Sequence, residues 1–138
     1  GLNASYIYTD LEVDIVNTPR RRAQLEGAAP FIGNFDISYN YSNRDKNLLA
    51  SVVFNYFSNR VHTIGTRNYG NIIEEGVPTI DFVSSYKFNK NFTAKFKASN
   101  LLDPSLKLSR RMNSSGENII LNKYKKGINL SLGVSYDL

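Results

Sequence analysis

Residues 128–138 alternate without a break: Ile128, Leu130, Leu132, Val134, Tyr136 and Leu138 are apolar, while Asn129, Ser131, Gly133, Ser135 and Asp137 are small or polar. A period of two puts every apolar side chain on one face of an extended strand and every polar one on the other. Such a strand needs two different surroundings. In a soluble protein the apolar face meets a core. In an outer-membrane barrel it meets lipid, and the small polar face looks into the lumen.

The same rhythm returns five times upstream. Leu2 to Thr9 sets Leu2, Ala4, Tyr6 and Tyr8 against Asn3, Ser5, Ile7 and Thr9. Phe31 to Tyr41 opposes Phe31, Gly33, Phe35, Ile37, Tyr39 and Tyr41 to Ile32, Asn34, Asp36, Ser38 and Asn40. Leu48 to Ser58, Val77 to Phe88 and Phe92 to Ser99 follow, the last with Lys95 and Lys97 on the polar side, where a dry core would not hold them. No stretch repeats its apolar residues at three- and four-residue spacing for long, so no helix is predicted.

The connections between these six strands run long, short, long, short, long. Asp10 to Pro30 is a long loop with strand extensions at its edges, Ser42 to Asn47 a short turn, and Asn59 to Gly76 long, polar and irregular. Asn89 to Asn91 is a tight turn of good turn formers. The final long connection keeps a trace of alternation over Leu106 to Ser109, turns at Asn113 to Gly116, and leads from Ile119 to Lys126 into the terminal strand. Outer-membrane barrels have short periplasmic turns and longer extracellular loops. With the last residue in the periplasm, all three long connections fall outside.

Composition narrows the function classes. No apolar run approaches the roughly 20 residues of a membrane-spanning helix, so a membrane crossing here is by strands. With no cysteine and one histidine, His62 in a loop, a zinc site, a disulfide scaffold and a thiol nucleophile are set aside. Glu74-Glu75 beside Gly76 reads as a solvated turn, and no Gly-rich phosphate loop or nucleophile elbow is present. A non-enzyme without cofactor is expected. The net charge of +5 suits nucleic acid, anionic lipid or solubility alone. The aromatics, nine Tyr and eight Phe, sit within strands and no recognition motif accompanies them, so nucleic acid is not the expected partner.

Residues 22 and 25–30 leading into Phe31–Tyr41, the segment Pro78–Phe88, the element Asn100-Leu101-Leu102-Asp103, and the closing Gly127–Leu138 resemble, in that order, the late barrel strands of TonB-dependent outer-membrane receptors of Bacteroidota type. The resemblance covers essentially the whole of residues 1–138 and implies an all-β, antiparallel, up-and-down transmembrane barrel segment in the bacterial outer membrane. Leu130, Leu132, Val134, Tyr136 and Leu138 then resemble the C-terminal signal read by the barrel-assembly machinery, although the family often ends in Phe. Such receptors have barrels of about 22 strands around a plugged lumen. Six strands without a plug are therefore expected to be the C-terminal part of one, incomplete as a barrel by themselves. The implied function is energised uptake of a nutrient such as a siderophore, cobalamin, glycan or peptide. The implied partners are outer-membrane lipid and lipopolysaccharide, the plug and remaining strands, TonB acting through the plug, and a surface lipoprotein.

On this orientation Arg20, Arg21, Arg22, Arg60, Arg67, Lys107, Arg110 and Arg111 lie in or near the outer connections. They are candidates for lipopolysaccharide phosphates or an anionic ligand; solvated loop charge is the plainer account. Asp36, Asp81, Lys95, Lys97 and Asn129 fall on the inner face, against a plug, along a transport path, or as a polar lattice on a wetted wall. Asp103 is expected to organise a strand end. Tyr6, Tyr8, Tyr39, Tyr41, Tyr56, Tyr86 and Tyr136 are expected to form interfacial girdles. Two rivals remain: a soluble or periplasmic β-sandwich or small barrel that binds a ligand, and a small oligomeric outer-membrane barrel.

Overall fold

Runs that alternate β-branched or aromatic residues with Ser, Asn and Gly fit a pleated surface with unlike faces. In the computed structural model every such run pairs laterally. The structure describes residues 1–13, 21–65, 69–112 and 116–137. Among them are twelve strands and no helix: β1 (Leu2–Tyr6), β2 (Leu11–Val13), β3 (Arg21–Ala23), β4 (Phe31–Asn43), β5 (Lys46–Phe57), β6 (Arg60–Thr63), β7 (Ile72–Glu74), β8 (Pro78–Lys87), β9 (Phe92–Ser99), β10 (Leu106–Arg111), β11 (Asn118–Tyr124) and β12 (Asn129–Tyr136). The protein is all-β and its sheets are antiparallel.

Six strands form one sheet in the order β1-β4-β5-β8-β9-β12. These are the six alternating segments, each beside its neighbour in the chain. Register preserves the faces. One apolar row runs Ile37–Val52–Phe82–Ala98–Leu130, and one row of the other face runs Ser38–Ser51–Val83–Lys97–Ser131. The sheet does not close on itself: β1 and β12 are its edges.

The short turns are tighter than the sequence suggests. Strands β4 and β5 pair out to Asn43 and Lys46, leaving only Arg44 and Asp45 between them, with Arg44 at φ 50°. In the β8–β9 turn the Asn89 side-chain oxygen accepts the backbone N–H of Asn91 (3.0 Å) and Phe92 (2.9 Å). An asparagine there does what a further turn of backbone would do.

The long connections are more regular than expected. Strands β6 and β7 occupy the stretch read as irregular, and β11-β10-β7-β6 form a four-stranded sheet. Its lateral order repeats that of β12-β9-β8-β5, so it is a second tier carried by the same four hairpin arms. The sequence hides it for a physical reason. Strands β6 and β7, of four and three residues, are too short to display a period, and bulges at Val61/Thr63 and Leu108/Ser109 break what period there is. Pairing of β7 with both β6 and β10 supplies the order instead. The first long connection holds the β2–β3 hairpin. Strand β1 ends at Tyr6, so Tyr8 lies beyond the ladder rather than within it.

There is almost no core. The buried apolar residues among those described are Ala29, Val61, Val77, Ala98 and Leu106, and no side chain is fully buried. The accessible surface is 9813 Å². A compact monomer of 15.6 kDa exposes about 7,200 Å². The excess reflects a sheet one layer thick.

Candidate functional site

The most distinctive surface is the apolar face of the six-stranded sheet. Across it lie Leu2, Ala4 and Tyr6; Phe31, Gly33, Phe35, Ile37, Tyr39 and Tyr41; Leu48, Ala50, Val52, Phe54 and Tyr56; Pro78, Ile80, Phe82 and Tyr86; Phe92, Ala94, Phe96 and Ala98; and Leu130, Leu132, Val134 and Tyr136. Ser84 is the one polar side chain in this field. None of the described elements packs on it: Leu2, Leu130 and Leu132 are 83%, 69% and 77% exposed. Soluble monomers rarely leave contiguous apolar patches larger than a few hundred Å².

Its dimensions suit a bilayer. From Phe31 to Tyr41 the strand advances about 34 Å at about 3.4 Å per residue. At the roughly 35–45° tilt of membrane barrels that is about 24–28 Å of height, close to the ~25 Å of their outward apolar band. Aromatic rings gather toward the two ends. Tyr6, Phe31 and Tyr56 mark the end nearer the long connections, with the Phe31 and Tyr56 rings 6.3 Å apart. Tyr41, Tyr86, Phe88, Phe92 and Tyr136 mark the short-turn end, where Tyr86 meets Phe88 edge-on at 4.5 Å and Phe88 lies 5.4 Å from Phe92. Tyr39 stands one step nearer the middle than a girdle position.

The opposite face carries the residues expected to point inward. Asp36, Asp81, Lys95, Lys97 and Asn129 do share it, but they are not gathered into one cluster. Asp36 meets the Gly1 amino group at 3.1 Å. Asp81 is occupied by the chain itself, its carboxylate accepting the Asn100 backbone N–H at 2.8 Å. Lys95 and Lys97 are exposed and have no ion pair among the described residues. Asn129 sits at the start of β12 opposite Ser99.

Of the basic residues in the long connections, Arg60 is committed to structure. Its guanidinium forks onto Glu74 (Nε to Oε2 2.9 Å, Nη2 to Oε1 3.1 Å), donates to the Gly27 carbonyl at 3.3 Å, and lies 5.0 Å over the Phe57 ring. This clamp joins β6 and β7 where the second tier leaves the first. Lys107 is likewise paired, with Glu75 at 3.2 Å. Arg110 lies 5.4 Å over the Tyr69 ring, and its Nε has no acceptor among the described residues. Arg111 is exposed at the end of β10. Arg21 and Arg22 are backbone positions of β3, with side chains outside the described set; Arg20, Arg67 and Leu138 lie outside the described residues.

The Asn100–Asp103 element organises a strand end, as the sequence suggests for Asp103. Asn100 (φ 60°) donates its side-chain amide to the Gly127 carbonyl at 2.8 Å, and Asp103 (φ 41°) accepts the Gly127 N–H at 3.0 Å and holds Lys125 at 3.1 Å. Leu101 N–H closes onto the Ile80 carbonyl at 2.8 Å. The knot ties β8, β9 and the β11–β12 corner together at the junction of the two tiers. Sequence reasoning found Asp103 but not the part played by Asn100 or the Arg60–Glu74 clamp. Asn100 and Asp103 carry the available signal, being residue types that tolerate positive φ.

No group of three or more His, Asp or Glu able to hold a metal occurs among the described residues. Comparison with known proteins returns no family model, no curated protein and no solved structure that matches this chain.

Proposed function

We propose that residues 1–138 form part of the wall of an outer-membrane β-barrel, that of a TonB-dependent receptor for energised nutrient uptake. The observation that carries the wall reading is the uncovered apolar face spanning all six strands, of bilayer height and bounded by aromatic residues. Three further features support it. The other face is largely polar, the short turns share one end, and the second tier rises from the other end, where receptor loops capture ligand. The receptor assignment itself rests on the sequence resemblance. This segment performs no chemistry; it supplies wall, outer loops and, through Leu130, Leu132, Val134 and Tyr136, a strand of the kind read during barrel assembly.

The open edges β1 and β12 set a requirement. Unpaired backbone groups are not tolerated in hydrocarbon, so other strands must meet both edges. Polypeptide other than residues 1–138 supplies them in the receptor reading, together with the plug on which TonB pulls. A surface lipoprotein would dock on the second tier. Further copies of the chain supply the strands in the oligomeric reading, which the same two edges favour. A soluble sandwich needs a second layer over the apolar face, and none of the described elements provides it.

Fractionation tests the membrane assignment. Cells making the protein are expected to hold it in outer membranes that resist washing with 'alkaline carbonate', and its release is expected to require detergent. Recovery as a monodisperse, detergent-free protein in the periplasm would overturn the assignment.

A further inference from the structure

The short-turn end of the sheet holds a boundary of its own. The last row of the apolar face there runs Asn43–Lys46–Phe88–Phe92–Tyr136. Asn43 pairs with Lys46, Phe92 pairs with Tyr136, and the Phe88 N–H donates to the Phe92 carbonyl. This row lies one step, about 7 Å, beyond Tyr41–Leu48–Tyr86. Between the β4–β5 and β8–β9 turns it opens into a notch of about 490 Å³, lined by Asn43, Arg44, Asp45, Lys46, Phe88 and Asn89.

Apolar and cationic groups meet in this notch. Phe88, 43% exposed, extends the apolar face into it. Arg44 and Lys46 outweigh the one carboxylate, Asp45, and leave a net charge of +1. Among the described residues no ion pair joins these three. The Asn89 side-chain oxygen is taken by the backbone of its own turn, so its amide nitrogen remains as a donor. Arg44 also holds φ 50°, which strains an arginine and not a glycine. Strain that a glycine would remove points to a residue kept for its side chain.

We propose that the notch seats the phosphate of an anionic glycerophospholipid, its oxygens on Arg44, Lys46 and Asn89 and its acyl chains along Phe88, Tyr86 and Leu48. Continuity with the apolar face makes the ligand an amphiphile, and the net positive charge makes its head anionic. A guanidinium suits a phosphate, which it holds with two parallel N–H donors. An orthophosphate ion would use the cations and leave Phe88 in water. The inference rests on the wall reading, because only a lipid-facing sheet sets this notch among headgroups. It goes further in assigning one class of lipid to one place on the rim.

Photolabelling of the protein in phosphatidylcholine vesicles tests it. The vesicles carry a trace of photoreactive phosphatidylglycerol or, in parallel, photoreactive phosphatidylcholine, each with a diazirine at the headgroup end of one acyl chain. Peptide mapping is expected to find adducts at Phe88 about fivefold more often with phosphatidylglycerol, the difference that one net cation makes beside an anionic lipid. No such preference is expected at Tyr136, in the same row. In Arg44→Gly with Lys46→Gln the preference at Phe88 is expected to vanish; glycine relaxes at φ 50°, so the hairpin keeps its fold. In Lys46→Arg it is expected to persist. Three results would overturn the proposal: equal labelling of Phe88 by both lipids, a preference that survives in the neutralised variant, or displacement of the phosphatidylglycerol label by millimolar orthophosphate, which would mark a free-ion site. The wall reading would survive each of these. Its own failure would appear as the absence of adducts from either lipid anywhere on the apolar face.

Discussion

Leu132→Arg is expected to cost about 2–4 kcal/mol of folded stability in a bilayer, the usual cost of a cationic side chain near the midplane on the lipid side of a barrel. Leu132 stands opposite Phe96 within the apolar face and is 77% exposed. Its neighbour Ser131 lies on the other face, opposite Lys97, and Ser131→Arg is expected to cost far less. The contrast is the test. In a water-facing sheet an exposed leucine changes to arginine within about 0.5 kcal/mol. Urea titrations of the protein in phospholipid vesicles, followed by protection from trypsin, measure both variants. A large loss at 132 with little at 131 fits a lipid face; equal, small losses do not.

Asn100→Ala is expected to lower stability by about 2–3 kcal/mol. Two effects add: the hydrogen bond that the Asn100 side-chain amide donates to the Gly127 carbonyl is lost from a half-buried site, and alanine must occupy φ 60°. The first costs about 1 kcal/mol and the second about 1–2. Asn100→Gly separates them, because glycine accepts the backbone angle and loses only the side-chain bond, so it should fall between wild type and alanine. Unfolding midpoints of the three proteins in the same vesicles check the order. If alanine and glycine coincide, the left-handed backbone contributes nothing. If neither differs from wild type, the element is not the knot between tiers described above.

The main sheet was legible in the sequence because its strands are long. In Phe31–Tyr41 and 128–138, five or six alternations leave little doubt about the face of each residue, and the observed register keeps those faces aligned across all six strands. Turns were legible where side chains build them, as at Asn89. The second tier was legible only in its β10–β11 arm, where a trace of alternation precedes a good turn; β6 and β7 were not. Strands such as Ile72–Glu74 owe their order to partners 30 or more residues away in β10, and no local pattern encodes that. The arginines illustrate a second limit. Arg60 looks like any other loop cation in the sequence, yet Glu74 occupies it. Composition gives the charge, and only pairing decides whether the charge is free for a ligand.

Residues 1–138 contain no cysteine, so within them a single cysteine placed along β12 reports on one position at a time. Spin labels at positions 129 to 136, in the protein inserted in phospholipid vesicles, compare accessibility to apolar oxygen with accessibility to a water-soluble nickel chelate. Oxygen is expected to dominate at 130, 132 and 134, and the chelate at 129, 131 and 133, in strict alternation. Accessibility to the chelate at every position, or alternation of the opposite phase, would contradict a lipid-facing wall.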